Sequence, residues 1–154
     1  MPVLVDRIDP VGINCLIWSG RVSRADALGL AGRIDPARPE FGCRWISYFA
    51  TGVDLSDLDA ACLLELRERL RPVVSGLAAK GEFRMLLVSN SRYNDPLLAV
   101  WGAMTAMDPA YPSRPVVVAD IGAAARGLGL SAADAEQARL WILARTDRLQ
   151  GGPR

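Results

Sequence analysis

The sequence predicts a single α/β domain in which helices cover a mostly parallel sheet that opens with a β-hairpin. The chain has 154 residues, which is the size of one domain and enough to bury a core without a disulfide or metal. Hydrophobic residues make up 51% and charged residues 23% of it, as in ordinary globular proteins. Strand-like runs alternate with helical patterns in the order ββαβαβαβαα, which favours parallel pairing.

The first elements are predicted to be a hairpin and a short helix. Two apolar runs, 3–8 and 13–22, flank the segment Asp-Pro-Val-Gly, in which Pro10 favours a turn. Ser23 lies three residues before Asp26. This spacing is typical of a capping box, so we expect a helix to begin there.

A third strand and a long helix are predicted next. Segment 43–49 alternates and is rich in aromatic and β-branched residues, as strands are. Apolar residues then recur with helical spacing as far as Leu77. Ser56 is the predicted N-cap of this helix, with Asp59 as its third residue. Pro72 predicts a kink or a restart.

The second half of the chain continues the alternation. Segment 83–90 is an apolar run, as in a buried central strand. A helix that is apolar almost all round begins at Pro96, after a cap by Asn94 or Asp95. We expect a last buried strand over 116–120, followed by a short helix and a longer one that begins at Ser131.

Composition excludes several classes of function. The net charge of +1 gives no electrostatic reason to expect nucleic acid as a partner. The chain has no histidine, which excludes Ser-His chemistry and histidine-based zinc sites. Cys15, Cys43 and Cys62 form no C-x-x-C pair and are predicted to be buried, reduced thiols. We therefore predict no metal and no cofactor.

The sequence predicts a cytoplasmic bacterial protein. The N-terminal segment becomes charged at Asp6 and lacks the core of a signal peptide. The longest nearly apolar run, 97–107, is shorter than the ~20 residues that a membrane span requires. Lys80 is the only lysine beside many arginines, a bias that indicates a GC-rich bacterial genome.

Several segments resemble the STAS domain and its SpoIIAA-like relatives, which include anti-sigma-factor antagonists and cytoplasmic domains of sulfate transporters. The segment RIDPVGINCLIWSGRVSRADALGL resembles the opening hairpin and acidic-capped helix of that family. LRPVVSGLAAKGEFRMLLVSN is similar to its long helix and next strand, and VVVADIGAAARGLGL to its last strand and closing helix. The resemblance implies a STAS/SpoIIAA-like domain over residues 1–130, with 131–154 as a C-terminal helical extension of the same domain.

The resemblance also points to a loop that acts as a switch in this family. In STAS switches the loop after the third strand resembles Gly-Val-x-x-x-Asp-Ser-Ser-Gly, and one of its serines is phosphorylated. Here the segment from Gly52 reads Gly-Val-Asp-Leu-Ser-Asp-Leu-Asp-Ala, without serine at either position. The equivalent of the switch loop is thus Ser56, Asp57 and Asp59, lacking the usual phospho-acceptor. A permanent acidic contact for a partner and a displaced phosphosite at Ser56 are the alternatives to a simple helix start.

A candidate ligand site follows the strands. Ligands of open α/β sheets bind beyond the carboxyl ends of parallel strands. The segment Ser-Asn-Ser-Arg-Tyr-Asn lies there, just before a helix N-terminus that favours small anions. The predicted ligand-binding residues are Ser89, Asn90, Ser91, Arg92 and Asp120. A solvated connection that satisfies its own backbone is the alternative.

The apolar helix over 97–107 is a second candidate region. Methionine and tryptophan suit core filling, but they also suit an adaptable partner surface. Core packing is predicted, with an oligomer interface or the lining of an apolar ligand cavity as alternatives. The predicted interface residues on this helix and the C-terminal helix are Trp101, Met104, Met107, Leu140 and Trp141.

The preferred functional hypothesis is a non-catalytic STAS-like binding or regulatory module. Its partner would be a protein or a small apolar or anionic ligand. One alternative is a small carboxylate-dependent enzyme with Asp54, Asp57 or Asp120 as base and Arg92 as anion holder. Another is a structural homodimer built on the apolar helix or the C-terminal helix.

Overall fold

A computed structural model describes residues 2–9 and 11–151 and shows an α/β arrangement around one five-stranded sheet. The strands are β1 (Val3–Ile8), β2 (Ile13–Trp18), β3 (Arg44–Phe49), β4 (Arg84–Val88) and β5 (Val116–Val118). The helices are α1 (Arg24–Leu28), α2 (Ala60–Ala78), α3 (Asp95–Ala106), α4 (Ile121–Gly127) and α5 (Ala132–Gly151), and a 3-10 turn (Gly29–Arg33) follows α1. The predicted class, the single sheet and the order of elements are confirmed.

The sheet is mixed, and its strands lie side by side in chain order from β1 to β5. β1 and β2 are antiparallel, and each later pair is parallel. Pro10, the predicted turn residue, lies outside the described residues. Gly12 closes the hairpin with a φ of 74° and an amide that donates to the Ile8 carbonyl at 3.0 Å. Because β2 to β5 run in one direction, their carboxyl ends share one edge of the sheet.

Side chains that alternate along the strands divide the core into two layers. On one face, Trp45 and Leu87 pack with α1, α2 and α3. On the other face, Ile46 and Leu86 pack with α4 and α5. The middle of the sheet is therefore covered on both sides, which leaves the strand ends and the interior of each layer as places for a site.

Two strands differ from the prediction. β2 ends at Trp18 and does not continue to Val22, because Gly20 turns the chain with a φ of 62°. β5 is an edge strand instead of a buried one, and Val116 and Val117 are 53% and 48% exposed. The reason is that β5 is three residues long and pairs with β4 on one side.

The long helix is continuous where a restart was expected. α2 runs through Pro72 without a break. Proline removes one amide donor there, but the apolar stripe of α2 is buried on both sides of it, at Leu70 and Val73. Burial of this stripe against the sheet outweighs the local cost. The capping box at Ser23 and Asp26 is present as predicted.

Gly76 lets α2 approach the loop between α1 and β3. A Cβ at Gly76 would lie 2.7 Å from the Cβ of Pro36. We expect Gly76→Ala to lower the free energy of unfolding, because overpacking costs about 1–3 kcal/mol and the gain in helix propensity is only about 1 kcal/mol. In α3, a Cβ at Gly102 would meet nothing within 4 Å, so Gly102→Ala is the matched control and should be stabilising. Urea unfolding measures the free energy of unfolding of both variants. Equal stabilisation by the two substitutions would contradict the close approach of α2 to Pro36.

Candidate functional site

An apolar cavity of about 80 Å³ lies between the sheet and the helices α2 and α3. Its walls include Trp45 on the sheet, Leu66 on α2 and Trp101 on α3. The described residues around it have apolar or aromatic side chains apart from Ser47 and Ser113. Side-chain packing normally closes such a space, because protein interiors hold few voids larger than a water molecule.

Two tryptophans that line this cavity are fixed in place. Trp18 donates from Nε1 to the hydroxyl of Ser47 at 2.9 Å and stacks on Phe49, with ring centroids 5.4 Å apart. Trp45 donates from Nε1 to the Gly42 carbonyl at 2.8 Å. A ring held by both a hydrogen bond and its packing cannot swing into the cavity without losing the bond. The space is therefore maintained by the side chains that border it.

The cavity suits an alkyl group better than water. A buried water makes about three hydrogen bonds, and the Ser47 hydroxyl already accepts one from Trp18. The volume of about 80 Å³ exceeds the ~10–15 Å³ that one water needs and is about half of the ~150 Å³ of an engineered cavity that binds benzene. A short alkyl chain would fill it.

An open cleft of about 660 Å³ lies beside the cavity, at the carboxyl ends of β3 and β4. The loop after β3 forms one wall, and the segment that leads into α3 forms the other. Leu55, Leu58 and Leu97 line both the cleft and the cavity. Apolar side chains therefore separate the two spaces, and an alkyl chain that passes them meets no polar barrier.

The cleft is lined by a charged carboxylate, that of Asp54, and by an uncharged carboxamide, that of Asn94. Hydrogen bonds from the hydroxyl and amide of Ser56 hold the pKa of Asp54 below its usual range, so the Asp54 carboxylate is charged at neutral pH. Asn94 is buried, and its Nδ2 has no hydrogen-bond partner in the described part of the chain. Asn94 is also the N-cap residue of α3, yet its side chain makes no capping bond.

The predicted ligand-binding residues are only partly brought together. Ser91 lines the cleft. Ser89 is buried, and its hydroxyl has no partner among the residues that the structure describes. Asn90 and Arg92 are exposed on the same connection and do not line the cleft. Asp120 instead caps α4, and its carboxylate accepts from the Ala123 amide at 2.7 Å.

The start of α2 differs from the prediction for the switch-loop equivalent. Asp59, and not Ser56, is the N-cap, since its carboxylate accepts from the Cys62 amide at 2.8 Å. The predicted capping role of Ser56 is wrong because the Ser56 amide donates to Asp54 at 2.9 Å in a turn that precedes the helix. Ser56 is one of the residues that line the cleft.

The carboxylates named for the enzyme alternative do not converge. Asp54 lines the cleft, whereas Asp57 pairs with Arg21 at 3.0 Å and Asp120 caps α4. Arg92, the proposed anion holder, is not among the residues that line the cleft. General acid–base catalysis by carboxyls needs two such groups in one pocket with their pKa values pushed apart. One of the three named carboxylates thus lines the cleft, and the carboxylate-dependent enzyme stays a prediction.

The predicted interface residues lie on two separate surfaces. Trp101 lines the cavity, and Met104 is half-buried on the same helix. Met107 is 82% exposed just after α3, and Leu140 is 54% exposed on α5. Trp141 packs against the second core layer. Because α3 and α5 cover opposite faces of the sheet, they offer two alternative interfaces, and the homodimer stays a prediction.

A hydrogen bond and an ion pair connect α2 to the end of α3 and the residues after it, beside the cavity. Arg67 donates from Nη1 to the Met104 carbonyl at 2.9 Å, and Arg71 pairs with Asp108. The Arg71 guanidinium also lies over the ring of Tyr111, 5.8 Å from its centroid, and Tyr111 lines the cavity. These contacts therefore hold the end of α3 against α2 at this end of the cavity. The cleft lies at the other end of α3.

The pair formed by Arg71 and Asp108 predicts a specific response to acid. Its hydrogen bonds lower the pKa of Asp108 in the folded protein. The carboxylate thus contributes stability that is present above the unfolded-state pKa of about 3.9 and is lost as the pH falls through the lower folded-state value. We expect the urea midpoint of the wild type to fall steeply below about pH 4, and that of Asp108→Asn to start lower and fall less.

An exposed ion pair supplies the control for this measurement. Glu136 pairs with Arg139 on the surface of α5, and exposed pairs contribute little. Glu136→Gln should therefore alter the acid profile less than Asp108→Asn does. Identical profiles for the wild type and Asp108→Asn would contradict the role given to Asp108.

No protein-family model, curated protein or solved structure matches this chain. The resemblance to the STAS and SpoIIAA-like families therefore stays a prediction. Within residues 2–9 and 11–151, none of the helices has the length and apolar character to cross a membrane. The same residues contain no group of three or more metal-binding side chains.

Sequence patterns identified only part of this site. The rule that ligands bind at the carboxyl ends of parallel strands points to Ser91 and Asp54, and both line the cleft. Asn94 is indistinguishable in sequence from an ordinary helix cap. The wall that α2 contributes to the cavity looks like any apolar helix face. The signal available in the sequence was the apolar helix over 97–107, for which the lining of an apolar ligand cavity was one alternative.

Proposed function

We propose that this protein is a non-catalytic binding module for a small amphiphile. The alkyl part of the ligand occupies the apolar cavity, and its polar end lies in the cleft. The observation that carries the proposal is the adjacency of the two spaces across Leu55, Leu58 and Leu97. A cavity alone would be a packing defect, and a cleft alone would be an ordinary surface feature.

The STAS/SpoIIAA-like resemblance forms part of this proposal. The order of the elements supports it. Phosphorylation does not belong to the proposed function, because Leu58 and Asp59 stand where the family has serines. Leu58 is one of the three side chains between the cleft and the cavity. A residue at the switch position would thus take part in ligand entry instead of accepting a phosphate.

Burial of the alkyl chain supplies the driving force in this proposal. Each methylene group removed from water contributes about 0.8 kcal/mol, which is about a fourfold change in affinity. The chain enters a space that the folded protein already contains, so the side chains that have to move are those of Leu55, Leu58 and Leu97, which separate this space from the cleft. New dispersion contacts with the lining add to the gain.

A titration with straight-chain alcohols, from butan-1-ol to octan-1-ol, tests the proposal. Trp18, Trp45 and Trp101 line the cavity, so their fluorescence reports its occupation. Trp141 lies in the other core layer, and Trp141→Phe removes its background signal. We expect saturable binding whose affinity rises about fourfold per methylene until the cavity is full and then levels off. No saturable change for any alcohol would contradict the proposed function.

A further inference from the structure

The side chain of Asn94 is a buried hydrogen-bond donor in the wall of the cleft. Asn94 is 5% exposed, its Nδ2 has no partner within residues 2–9 and 11–151, and it lines the cleft. Buried polar groups in native proteins are nearly always paired, and an unpaired donor costs stability. A ligand atom that accepts a hydrogen bond would complete this site.

The first turn of α3 adds to the same set of donors. The first amides of a helix have no partner within the helix and form the positive end of its dipole. In α3, however, Pro96 has no amide N–H, and the Asp95 and Leu98 amides donate to the Arg92 and Asn94 carbonyls, which leaves the Leu97 amide. α3 has 12 residues, and Leu97 in its first turn lines the cleft beside Asn94. The side chain of Asn94 does not cap these amides. The helix start and the carboxamide therefore both favour an acceptor oxygen.

Asp54 brings a negative charge to the cleft, part of which is offset by Arg21 nearby. It is the only side chain with a full charge among the described residues that line the cleft. Its carboxylate accepts from the Ser56 amide through Oδ1 at 2.9 Å. As a carboxylate it accepts hydrogen bonds and donates none. An anionic head group would meet repulsion from it, whereas a neutral donor would be bound.

We infer that the cleft recognises an uncharged head group whose acceptor and donor are separate atoms, as in a primary carboxamide. The oxygen of such a head accepts from Nδ2 of Asn94, and its NH₂ group donates to Asp54. A carboxylate head satisfies Asn94 but faces the negative charge of Asp54. An ammonium head satisfies Asp54 but leaves Asn94 unpaired. The inference rests on the proposed function, because the alkyl chain of the same ligand occupies the cavity.

Four six-carbon probes test this inference at pH 7: hexanamide, hexanoate, hexan-1-amine and hexan-1-ol. All four have six carbons, one of which belongs to the head group in hexanamide and hexanoate, and tryptophan fluorescence or calorimetry gives each dissociation constant. We expect hexanamide to bind at least tenfold more tightly than hexanoate and hexan-1-amine. Asp54→Asn, which keeps an oxygen for the Ser56 amide, should improve hexanoate binding at least threefold.

Asn94→Leu removes the carboxamide while keeping its approximate shape. We expect hexanamide affinity to fall at least tenfold in this variant and hexan-1-ol affinity to change less than threefold. The melting temperature of the free variant should be unchanged or higher, because an unpaired buried donor has been removed; a residue with a purely structural role would lower it. Asn94→Ala, which introduces no bulk, is the second variant if the first does not fold.

The outcomes separate this inference from the proposed function. A preference for hexanoate or hexan-1-amine, or wild-type hexanamide affinity in Asn94→Leu and Asn94→Ala, overturns the carboxamide inference. As long as hexan-1-ol still binds, the proposed function stands in that case. If none of the four probes binds, both are wrong.

Discussion

Val73→Phe is expected to abolish alcohol binding while the protein stays folded. Val73 is buried on α2 and lines the cavity. The added ring atoms enter existing space, so we expect the free energy of unfolding to change by less than about 1 kcal/mol instead of the ~1–3 kcal/mol of ordinary overpacking. With the cavity filled, hexan-1-ol affinity should fall at least about tenfold, equivalent to about 1.4 kcal/mol.

The matched control is the same substitution outside the site. Val116 is an exposed residue of the edge strand β5 and lines neither the cavity nor the cleft. Val116→Phe should bind hexan-1-ol as the wild type does. If the two variants bind equally well, the cavity is not the binding site. A large loss of stability in Val73→Phe would show that no room exists beside this residue.

Trp45→Ala is expected to have the largest effect on stability. The indole is fully buried, stacks on Phe41 with ring centroids 5.9 Å apart, and donates to the Gly42 carbonyl. Removing a buried tryptophan costs about 3–5 kcal/mol, which for a chain of this size lowers the melting temperature by roughly 6–20 °C. Thermal unfolding followed by circular dichroism measures the loss.

Added indole should partly restore this variant. Because Trp45 lines the cavity, its removal enlarges a space that indole can refill, and a ligand that binds the folded state raises its stability by mass action. Trp141→Ala is the control, since Trp141 belongs to the other core layer. Indole should raise the melting temperature of Trp45→Ala and leave that of Trp141→Ala unchanged. An equal effect on both variants would contradict the position given to Trp45.

The elements of the fold were predictable where one pattern dominates a segment. β4 was predictable from a continuous apolar run, and α2 was predictable from apolar residues that recur with helical spacing. Tertiary contacts reinforce both elements. The end of β2 at Gly20 and the cap at Asp59 were not predictable, because each depends on a contact with a distant or competing group. β5 looks like a buried strand in sequence, but its three valines carry no information about which strand lies at the edge of the sheet.

The site was less predictable than the fold for a physical reason. A cavity results from the shapes and rotamers of side chains that meet from different elements. Trp18 keeps its ring in place through Ser47, which is 29 residues away in the chain, and no local pattern reveals this bond. Asp54 and Ser91 were found because strand direction alone brings them to one edge of the sheet. Asn94 belongs to the same predicted segment but was not among the predicted ligand-binding residues, because no sequence pattern reveals that its Nδ2 has no partner among the described residues.

A crystal structure with 4-bromobutan-1-ol tests the central claim most directly, since anomalous scattering locates the bromine at the end of the chain. We predict a bromine peak inside the cavity, among Trp45, Leu66 and Trp101, with the hydroxyl beyond Leu58 in the cleft. The same peak should be absent from crystals of Val73→Phe. Bromine found only on the outer surface, with the cavity empty or closed by side chains in the wild-type crystal, would contradict the account.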